Sequence, residues 1–200
     1  MESYPDWVVD WNRQGMAAQL SGSQWQLTMP ADRYRPGRVD DRPYETDLKG
    51  FGRTFPHDYG PAQHPLFYTR VLVSPAGDRL LLDFARRLVI EENLGADKTT
   101  DYLSVSFSGV DAVNHFFGPS SIENEDVVVA LDRTLQELFA FLDTRIGLDK
   151  VLIVLSADHG MAEIAEYAAE QGRDAAGCTV PRCWIWPGRP ARGSMQSRLW

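Results

Sequence analysis

The sequence predicts an α/β fold built on a parallel sheet. Two segments with strand character, residues 101–108 and 151–155, are separated by one long helical stretch. The first alternates apolar residues with serines at the two-residue period of a strand, and the second is apolar throughout, which is typical of a parallel strand covered by helices. A strand, a crossover helix and a strand form a βαβ unit, so we expect the two strands to be parallel and close together.

The stretch between these strands carries the clearest helix pattern of the chain. Ser120 precedes Glu123 by three residues, the spacing of a capping box that would start the helix. A second helix is predicted from Asp78, as its N-cap, to about Asn93, and a third over about 162–171. The order helix, strand, helix, strand defines an α/β class. The apolar stripe of the long helix consists of Leu131, Leu135, Leu138 and Leu142.

Residues 1–65 are predicted to form an irregular insertion or cap. Its first part fits an amphipathic helix laid on a core by its tryptophans. Residues 31–65 are rich in Pro, Gly, Asp and Arg and predict a long loop, which is usually either functional or disordered. His57 and His64 stand alone in polar surroundings, which favours surface residues over metal ligands.

The last segment, residues 178–200, differs from the rest of the chain. It holds four arginines, both cysteines and three of the six tryptophans, but none of the 28 acidic residues. Its prolines exclude a continuous helix or a central strand. An exposed irregular tail, a basic docking tail and a frameshifted segment are the three interpretations, and we expect the frameshift. The predicted organisation is then an insertion (1–65), a partial α/β core (66–177) and this tail.

Composition argues against several classes of partner. The net charge of −8 disfavours nucleic acid and anionic membrane surfaces. No run reaches the roughly 18–20 apolar residues of a membrane span, and the first residues lack the basic and apolar regions of a signal peptide. The chain as written is therefore expected in the cytoplasm. Two cysteines close together predict no disulfide framework.

Two Asp/His pairs follow the two predicted strands. Asp111 and His115 are four residues apart, so one turn of helix places both on one face. Asp158 and His159 are adjacent, on a turn before Gly160 that lets both converge. Because ligands bind beyond the carboxyl ends of parallel strands, we expect all four side chains at one site. Asp and His are ligands of catalytic zinc, and two metals about 4 Å apart can clamp an in-line displacement at phosphorus. The alternative is an Asp that caps a helix and a His that ends a strand, without metal.

The sequence around these pairs forms three linked motifs: residues 108–123, Leu131-Asp132 and residues 155–160. Together they resemble the alkaline phosphatase superfamily over roughly residues 65–175. Within this superfamily, the motifs most resemble the branch of the bacterial single-domain alkaline phosphatases and the type I phosphodiesterases/nucleotide pyrophosphatases. The runs at 40–44 and 50–57 resemble an insertion of the phosphatase branch.

The resemblance implies a partial parallel-sheet core like that of alkaline phosphatase and a hydrolase of phosphate esters with two zinc ions. Asp111 and His115 would hold one zinc, and Asp158 and His159 the other. The family attacks phosphorus with a Thr or Ser hydroxyl and forms a phospho-enzyme. That nucleophile and a further metal-binding Asp are expected upstream of Met1, and a third histidine after His159, so we expect this chain to lack them.

Two other functions stay open. The first is that of a type I phosphodiesterase/nucleotide pyrophosphatase, or of another hydrolase or mutase of the superfamily. The second is a truncated metal-binding module without catalytic activity. A small-molecule phosphate ester is the expected partner. Members of the family are usually periplasmic or secreted, which contrasts with the absence of a signal peptide in this sequence.

Overall fold

The computed structural model describes residues 3–35 and 39–173 and divides the chain into two units, Met1–Ile164 and Ala165–Trp200. The predicted tail at 178–200, with its frameshift hypothesis, lies outside the described residues. The helices of the first unit are α1 (Asp6–Arg13), α2 (Phe67–Leu72), α3 (Pro75–Glu91), α4 (Gly109–Phe117) and α5 (Ile122–Arg145). Short 3₁₀ helices are Ala18–Leu20, Ala31–Arg33 and Leu148–Lys150. The strands β1 (Gln24–Trp25) and β2 (His57–Asp58) pair antiparallel. The described part of the second unit holds α6 (Ala165–Glu170), shorter than the predicted helix at 162–171.

Helix α5 is the central element and contacts both α3 and α4. Its buried positions recur every three or four residues, which gives one buried face that is polar near the start of the helix and apolar toward its end. Leu138 and Leu142 are buried as predicted, while Leu131 and Leu135 are only half-buried. One cluster of buried side chains comprises Leu82, Val89, Leu138 and Leu142, and a second comprises Trp25, Leu48, Phe51, Tyr59, Phe67, Val71, Val73, Val113, Phe117 and Val127.

The predicted caps of α5 and α3 are both wrong. Ser121, not Ser120, caps α5, because its hydroxyl accepts a hydrogen bond from the Asn124 amide at 3.0 Å. Helix α3 begins at Pro75 with Ser74 as its N-cap, since proline at the first helical position needs no amide partner. The predicted cap residue Asp78 is instead buried inside the helix.

Asp78 connects α3 to the start of α4. Its Oδ1 accepts a hydrogen bond from the Gly109 amide at 3.1 Å. Burial raises the pKa of this carboxyl, and the hydrogen bonds from the Gly109 and Ser108 amides oppose that rise. A helix N-terminus favours such an oxygen acceptor because its first amides have no partner within the helix.

Gly109→Ala is expected to destabilise the protein by about 1–3 kcal/mol. A Cβ at Gly109 would lie 2.5 Å from Asp78 Oδ2, inside van der Waals contact with a buried carboxylate. Gly160→Ala is the matched control, because no atom lies within 4 Å of a Cβ there, and it should change the unfolding free energy by less than about 0.5 kcal/mol. Urea unfolding of both variants measures the difference. Equal stability of the two would contradict the close packing of Asp78 on Gly109.

The predicted parallel sheet is not seen in the described residues. Neither 101–108 nor 151–155 pairs with a strand there. Residues 101–108 do show the predicted two-residue alternation in burial, and Leu103 and Phe107 pack against the cluster between α3 and α5. Within the described residues, helices do not cover 151–155 on both faces, since Leu152 is 90% exposed and Val154 79%, so the predicted parallel core is not confirmed. A strand needs a neighbour to receive its backbone hydrogen bonds, and the described residues provide none here.

The N-terminal segment is held to the core by its tryptophans, as predicted for its helix. Trp7 and Trp11 of α1 both pack against the Phe84 ring, with ring centroids 5.3 and 5.0 Å away. Their indole nitrogens donate to the carboxylates of Glu92 and Asp83, each at 2.7 Å. The apolar rings therefore anchor α1 on α3 while their polar edges remain hydrogen-bonded.

Two buried charged residues fix the rest of this segment. The Asp126 carboxylate on α5 accepts hydrogen bonds from Trp25 Nε1 at 2.6 Å, the Thr28 amide at 2.6 Å and hydroxyl at 3.0 Å, and the Tyr34 hydroxyl. The Arg70 guanidinium on α2 donates to the carbonyl oxygens of Leu48, Lys49 and Tyr59. Side chains therefore replace regular secondary structure in ordering this part of the chain.

Candidate functional site

The four side chains of the two Asp/His pairs lie together, as predicted. His115 Nε2 is 3.4 Å from Asp111 Oδ2, and His159 Nε2 is 3.8 Å from Asp111 Oδ1. His159 Nε2 is also 3.5 Å from Asp158 Oδ2. Asp111 is therefore the residue that links the two pairs, although 48 positions of sequence separate it from His159. The expected convergence on one site is confirmed, whereas the metal-binding role of these residues stays a prediction.

Helix α4 fixes the first pair. It spans Gly109–Phe117, so Asp111 and His115 are one turn apart on one face, as the spacing predicted. The helix is held at its start by Asp78 and in its middle by the fully buried Val113. Its C-terminal Phe117 is buried in the large core cluster. The first pair is therefore carried by a rigid element.

The second pair lies on a loop that is fastened to the turn after α4. Ser120 Oγ donates a hydrogen bond to Glu163 Oε1 at 2.6 Å. Gly118 has a positive φ of +86°, and a Cβ there would lie 2.6 Å from Ile164 Cδ1. Only glycine allows this backbone conformation and this approach of Ile164 at low cost. These two contacts bring Asp158 and His159 to the end of α4.

The hydrogen bonds of His159 orient its imidazole toward the site. Its Nδ1 lies 3.0 Å from the Gly160 carbonyl oxygen, which can only accept, so Nδ1 carries the hydrogen. In the neutral imidazole the lone pair is then on Nε2, the nitrogen that faces Asp111 and Asp158. A backbone carbonyl on the far nitrogen is the usual partner of a metal-binding histidine. Asp158 Oδ1 also accepts the His159 amide at 3.1 Å, which fixes the turn.

The donor set fits a metal centre. Two ligands of one tetrahedral zinc ion are separated by about 3.3 Å, and the distances within the two pairs are 3.4 Å for Asp111 and His115 and 3.5 Å for Asp158 and His159. Asp111 Oδ1 is shielded from solvent yet has no hydrogen-bond partner among the described residues, as expected for a ligand atom. Asp158 is 88% exposed, so the site is open on this side. Within residues 3–35 and 39–173, no three His, Cys, Asp or Glu side chains are already arranged around one ion position.

A second group of ionisable residues, which the sequence analysis missed, is buried where β2 meets the start of α5. His57 is fully buried, so its prediction as a surface residue is wrong, and its Nε2 is 3.2 Å from the fully buried Glu123 Oε1. Burial, followed by repulsion from Glu123, raises the pKa of Glu45 to about 8. Burial also raises the pKa of Asp40 to about 6, with Glu123 adding to the rise. The sequence analysis assigned Glu123 to the capping box of the long helix, and that assignment gave no indication of its contact with His57.

No helix in the described part of the chain is both long and apolar enough to cross a membrane.

Comparison with known proteins gives consistent results. The family model for type I phosphodiesterase / nucleotide pyrophosphatase matches residues 4–180. Alkaline phosphatase PhoV of Synechococcus elongatus is 36% identical over 165 residues, which cover 82% of this chain and 30% of PhoV. A Myroides odoratus protein named calcium-transporting ATPase is 36% identical over 174 residues, which cover 86% of this chain and 32% of that protein.

Among solved structures, the chain is similar to the crystal structure of wild-type alkaline phosphatase PafA. The TM-score is 0.79 at 32% identity, and the match covers 86% of this chain and 34% of PafA. The fold of the chain therefore matches part of the alkaline phosphatase fold. The chain spans about a third of the length of the proteins it matches.

Proposed function

Because the chain belongs to the type I phosphodiesterase / nucleotide pyrophosphatase family of the alkaline phosphatase superfamily, we propose that it serves the hydrolysis of phosphate esters. Asp111, His115, Asp158 and His159 are the residues that hold the metal ions of this reaction. The observation that carries the proposal is the 3.8 Å contact between Asp111 and His159, which joins two motifs that are far apart in sequence. A small-molecule phosphate ester is the proposed substrate.

The proposed roles follow from the surroundings of each side chain. Asp111 and His115 hold one zinc ion from the rigid helix α4, and Asp158 and His159 hold the other from the loop. Bound zinc would supply positive charge for the phosphoryl oxygens and would lower the pKa of an attacking hydroxyl or water. The carbonyl of Gly160 keeps the Nδ1 hydrogen of His159 in place, so Nε2 stays available as a ligand. The exposed side of Asp158 leaves an opening through which an ester can enter.

The likeness to PhoV and PafA supports a phosphomonoesterase, since both are named alkaline phosphatases. A phosphodiesterase is the second candidate, supported by the description of the family model. By the same likeness we expect the protein to act in the periplasm or outside the cell. The attacking Thr or Ser hydroxyl is not among the residues assigned here, so we expect the chain alone to turn over esters very slowly.

Zinc titration of the full chain, with p-nitrophenyl phosphate hydrolysis as a second readout, tests this proposal. We expect binding weaker than at a catalytic zinc with three protein ligands, because each ion has two ligands here. The double variant Asp111→Asn/Asp158→Asn should bind fewer zinc ions than the unmodified chain. The control Asp32→Asn, an exposed carboxylate outside the three motifs, should bind the same number.

Unchanged zinc binding in the double variant would overturn the assignment of these ligands. Fast hydrolysis by the full chain that is abolished by Asp158→Ala would contradict the expected absence of the nucleophile. Comparing p-nitrophenyl phosphate with bis-p-nitrophenyl phosphate separates the monoesterase from the diesterase.

A further inference from the structure

Three carboxylates lie together where the insertion meets the start of α5. Glu123 on α5 is fully buried, and Glu45 of the insertion is only 5% exposed. Asp40 of the insertion is near enough to both for the three groups to repel one another. Burying several negative charges together costs free energy unless positive charges or protons neutralise them. The protonation of these groups therefore affects how firmly the insertion is held on α5.

The first of these carboxylates belongs to a buried ion pair. Glu123 Oε1 lies 3.2 Å from His57 Nε2, and both side chains are fully buried. Four aromatic rings surround the imidazole, with centroids 4.6 to 5.3 Å away, those of Trp25, Phe51, Phe55 and Phe117. The pair joins the insertion to α5 and fixes the negative charge of Glu123 inside their contact.

The second carboxyl, that of Glu45, lies in surroundings that favour its neutral form. Burial has the largest influence, and repulsion from Glu123 comes next. The Arg42 amide donates to Glu45 Oε2 at 3.1 Å, and the Arg42 charge offsets a part of the repulsion that Glu123 and Asp40 exert. The net effect raises the pKa of Glu45 to about 8. Glu45 is therefore neutral at neutral pH and becomes charged in alkaline solution.

The third carboxyl, that of Asp40, loses its proton at lower pH than Glu45. Burial raises the pKa of Asp40 to about 6, although the hydrogen bond from the Phe55 amide at 3.1 Å lowers it. The charged groups that act on Asp40 are Glu123 and Asp41, which repel its charge, and His57, which attracts it. Above about pH 7, the further change in the charge of this contact therefore comes from Glu45.

We propose that the contact of Asp40, Glu45 and His57 with Glu123 is a pH-dependent latch that holds the insertion on α5. The latch is closed while Glu45 is protonated, and it opens locally when the charged form of Glu45 is repelled by Glu123 and Asp40. Between about pH 4.5 and 8, closed Glu45 keeps a proton that a released, solvated Glu45 has lost. Rising pH therefore favours release.

The latch is linked to the helix that carries the first Asp/His pair. The amide of Thr46, the residue after Glu45, donates to the Phe116 carbonyl oxygen at 2.9 Å. Phe116 lies in the last turn of α4, directly after His115. Release of the insertion would therefore remove a hydrogen bond from the end of α4.

Amide hydrogen exchange of the full chain, measured by NMR between pH 6.5 and 9, tests the latch. The reporters are three backbone amides that hold the insertion in place, those of Arg42, Thr46 and Phe55. After correction for intrinsic exchange rates, their protection should fall by about 10- to 100-fold over this range. At pH 9 it should be lower than that of the Leu82 amide in α3 by at least about tenfold, because the release is local.

Glu45→Gln is the variant that isolates the proton. Glutamine keeps the shape of the side chain, stays neutral at every pH, and can still accept the Arg42 amide with its carbonyl oxygen. It should remove most of the fall in protection and should raise Tm more at pH 9 than at pH 6.5. Glu166→Gln, an exposed residue of α6, is the control and should behave like the unmodified chain.

If Glu45→Gln does not fold, a ¹³C NMR titration of the Glu45 carboxyl in the unmodified chain takes its place. A midpoint near pH 8 would support the latch, whereas a midpoint near pH 4.5 would overturn it. The proposal would also be wrong if the three reporters showed the same protection at pH 6.5 and 9, or the same protection as Leu82. A fall in protection that persists in Glu45→Gln would exclude Glu45 as the group responsible.

Discussion

Asp111→Asn is expected to lower phosphate-ester hydrolysis by on the order of 10³-fold or more when residues 4–173 replace the matching third of alkaline phosphatase PafA. The replacement supplies a framework in which the remaining parts of an active site are present. Asp111 contacts both His115 and His159, so its carboxylate is the group shared by the two halves of the proposed metal centre. The amide of asparagine keeps the volume but loses the negative charge that binds a cation.

Hydrolysis of p-nitrophenyl phosphate by the purified hybrid measures this effect, with bound zinc counted in the same samples. The hybrid with Asp32→Asn is the control, since this carboxylate is exposed and lies in none of the three motifs, and its loss should leave the rate within about twofold. Equal rates for the two variants would show that Asp111 takes no part in the reaction. An inactive hybrid that has lost its zinc before any substitution would count against the proposed ligand set.

Asp126→Ala is expected to destabilise the chain by about 3–5 kcal/mol, a large fraction of the roughly 5–15 kcal/mol that holds a domain folded. The Asp126 carboxylate is fully buried and accepts four hydrogen bonds, from Trp25, from the amide and hydroxyl of Thr28, and from Tyr34. Alanine would leave these donors without a partner. Burial, and after it the hydrogen bond to Asp126, raises the pKa of Tyr34 to about 12.

Urea unfolding, monitored by tryptophan fluorescence, measures the loss of unfolding free energy, and Trp25 is a suitable probe because it donates a hydrogen bond to Asp126. Asp132→Ala on the same helix is the control and should change the unfolding free energy by less than about 0.5 kcal/mol. If both variants have the same midpoint, Asp126 does not anchor the insertion on α5.

Local patterns predicted the candidate site better than distant contacts did. The spacing of Asp111 and His115 places them on one face of a helix, whatever the rest of the chain does, and the structure has them there. His57 could not be assigned in this way, because its burial depends on aromatic residues and on Glu123, which lies 66 positions further along the chain. The prediction of Asp78 as an N-cap was wrong for the same reason, since its partner Gly109 lies outside the helix that carries Asp78. Interactions over long sequence separations leave no periodic signal in the sequence.

The predicted sheet shows the other limit of sequence patterns. The alternation in 101–108 is visible in the burial of Leu103, Val105 and Phe107, so the period was interpreted correctly. Hydrogen bonding between strands depends on neighbours that a period does not specify. The apolar character of 151–155 predicts that something covers it, and the described residues contain no such cover.

The exposure of residues 151–155 also bears on aggregation. Val151-Leu-Ile-Val-Leu155 carries no charge and no proline, and its members are among the best strand formers. Four of its five residues are exposed, so its backbone is accessible to any other edge strand. Such a segment is a predicted aggregation site where nothing covers it. We therefore expect a polypeptide of these 200 residues alone to aggregate through this segment unless something else occupies it.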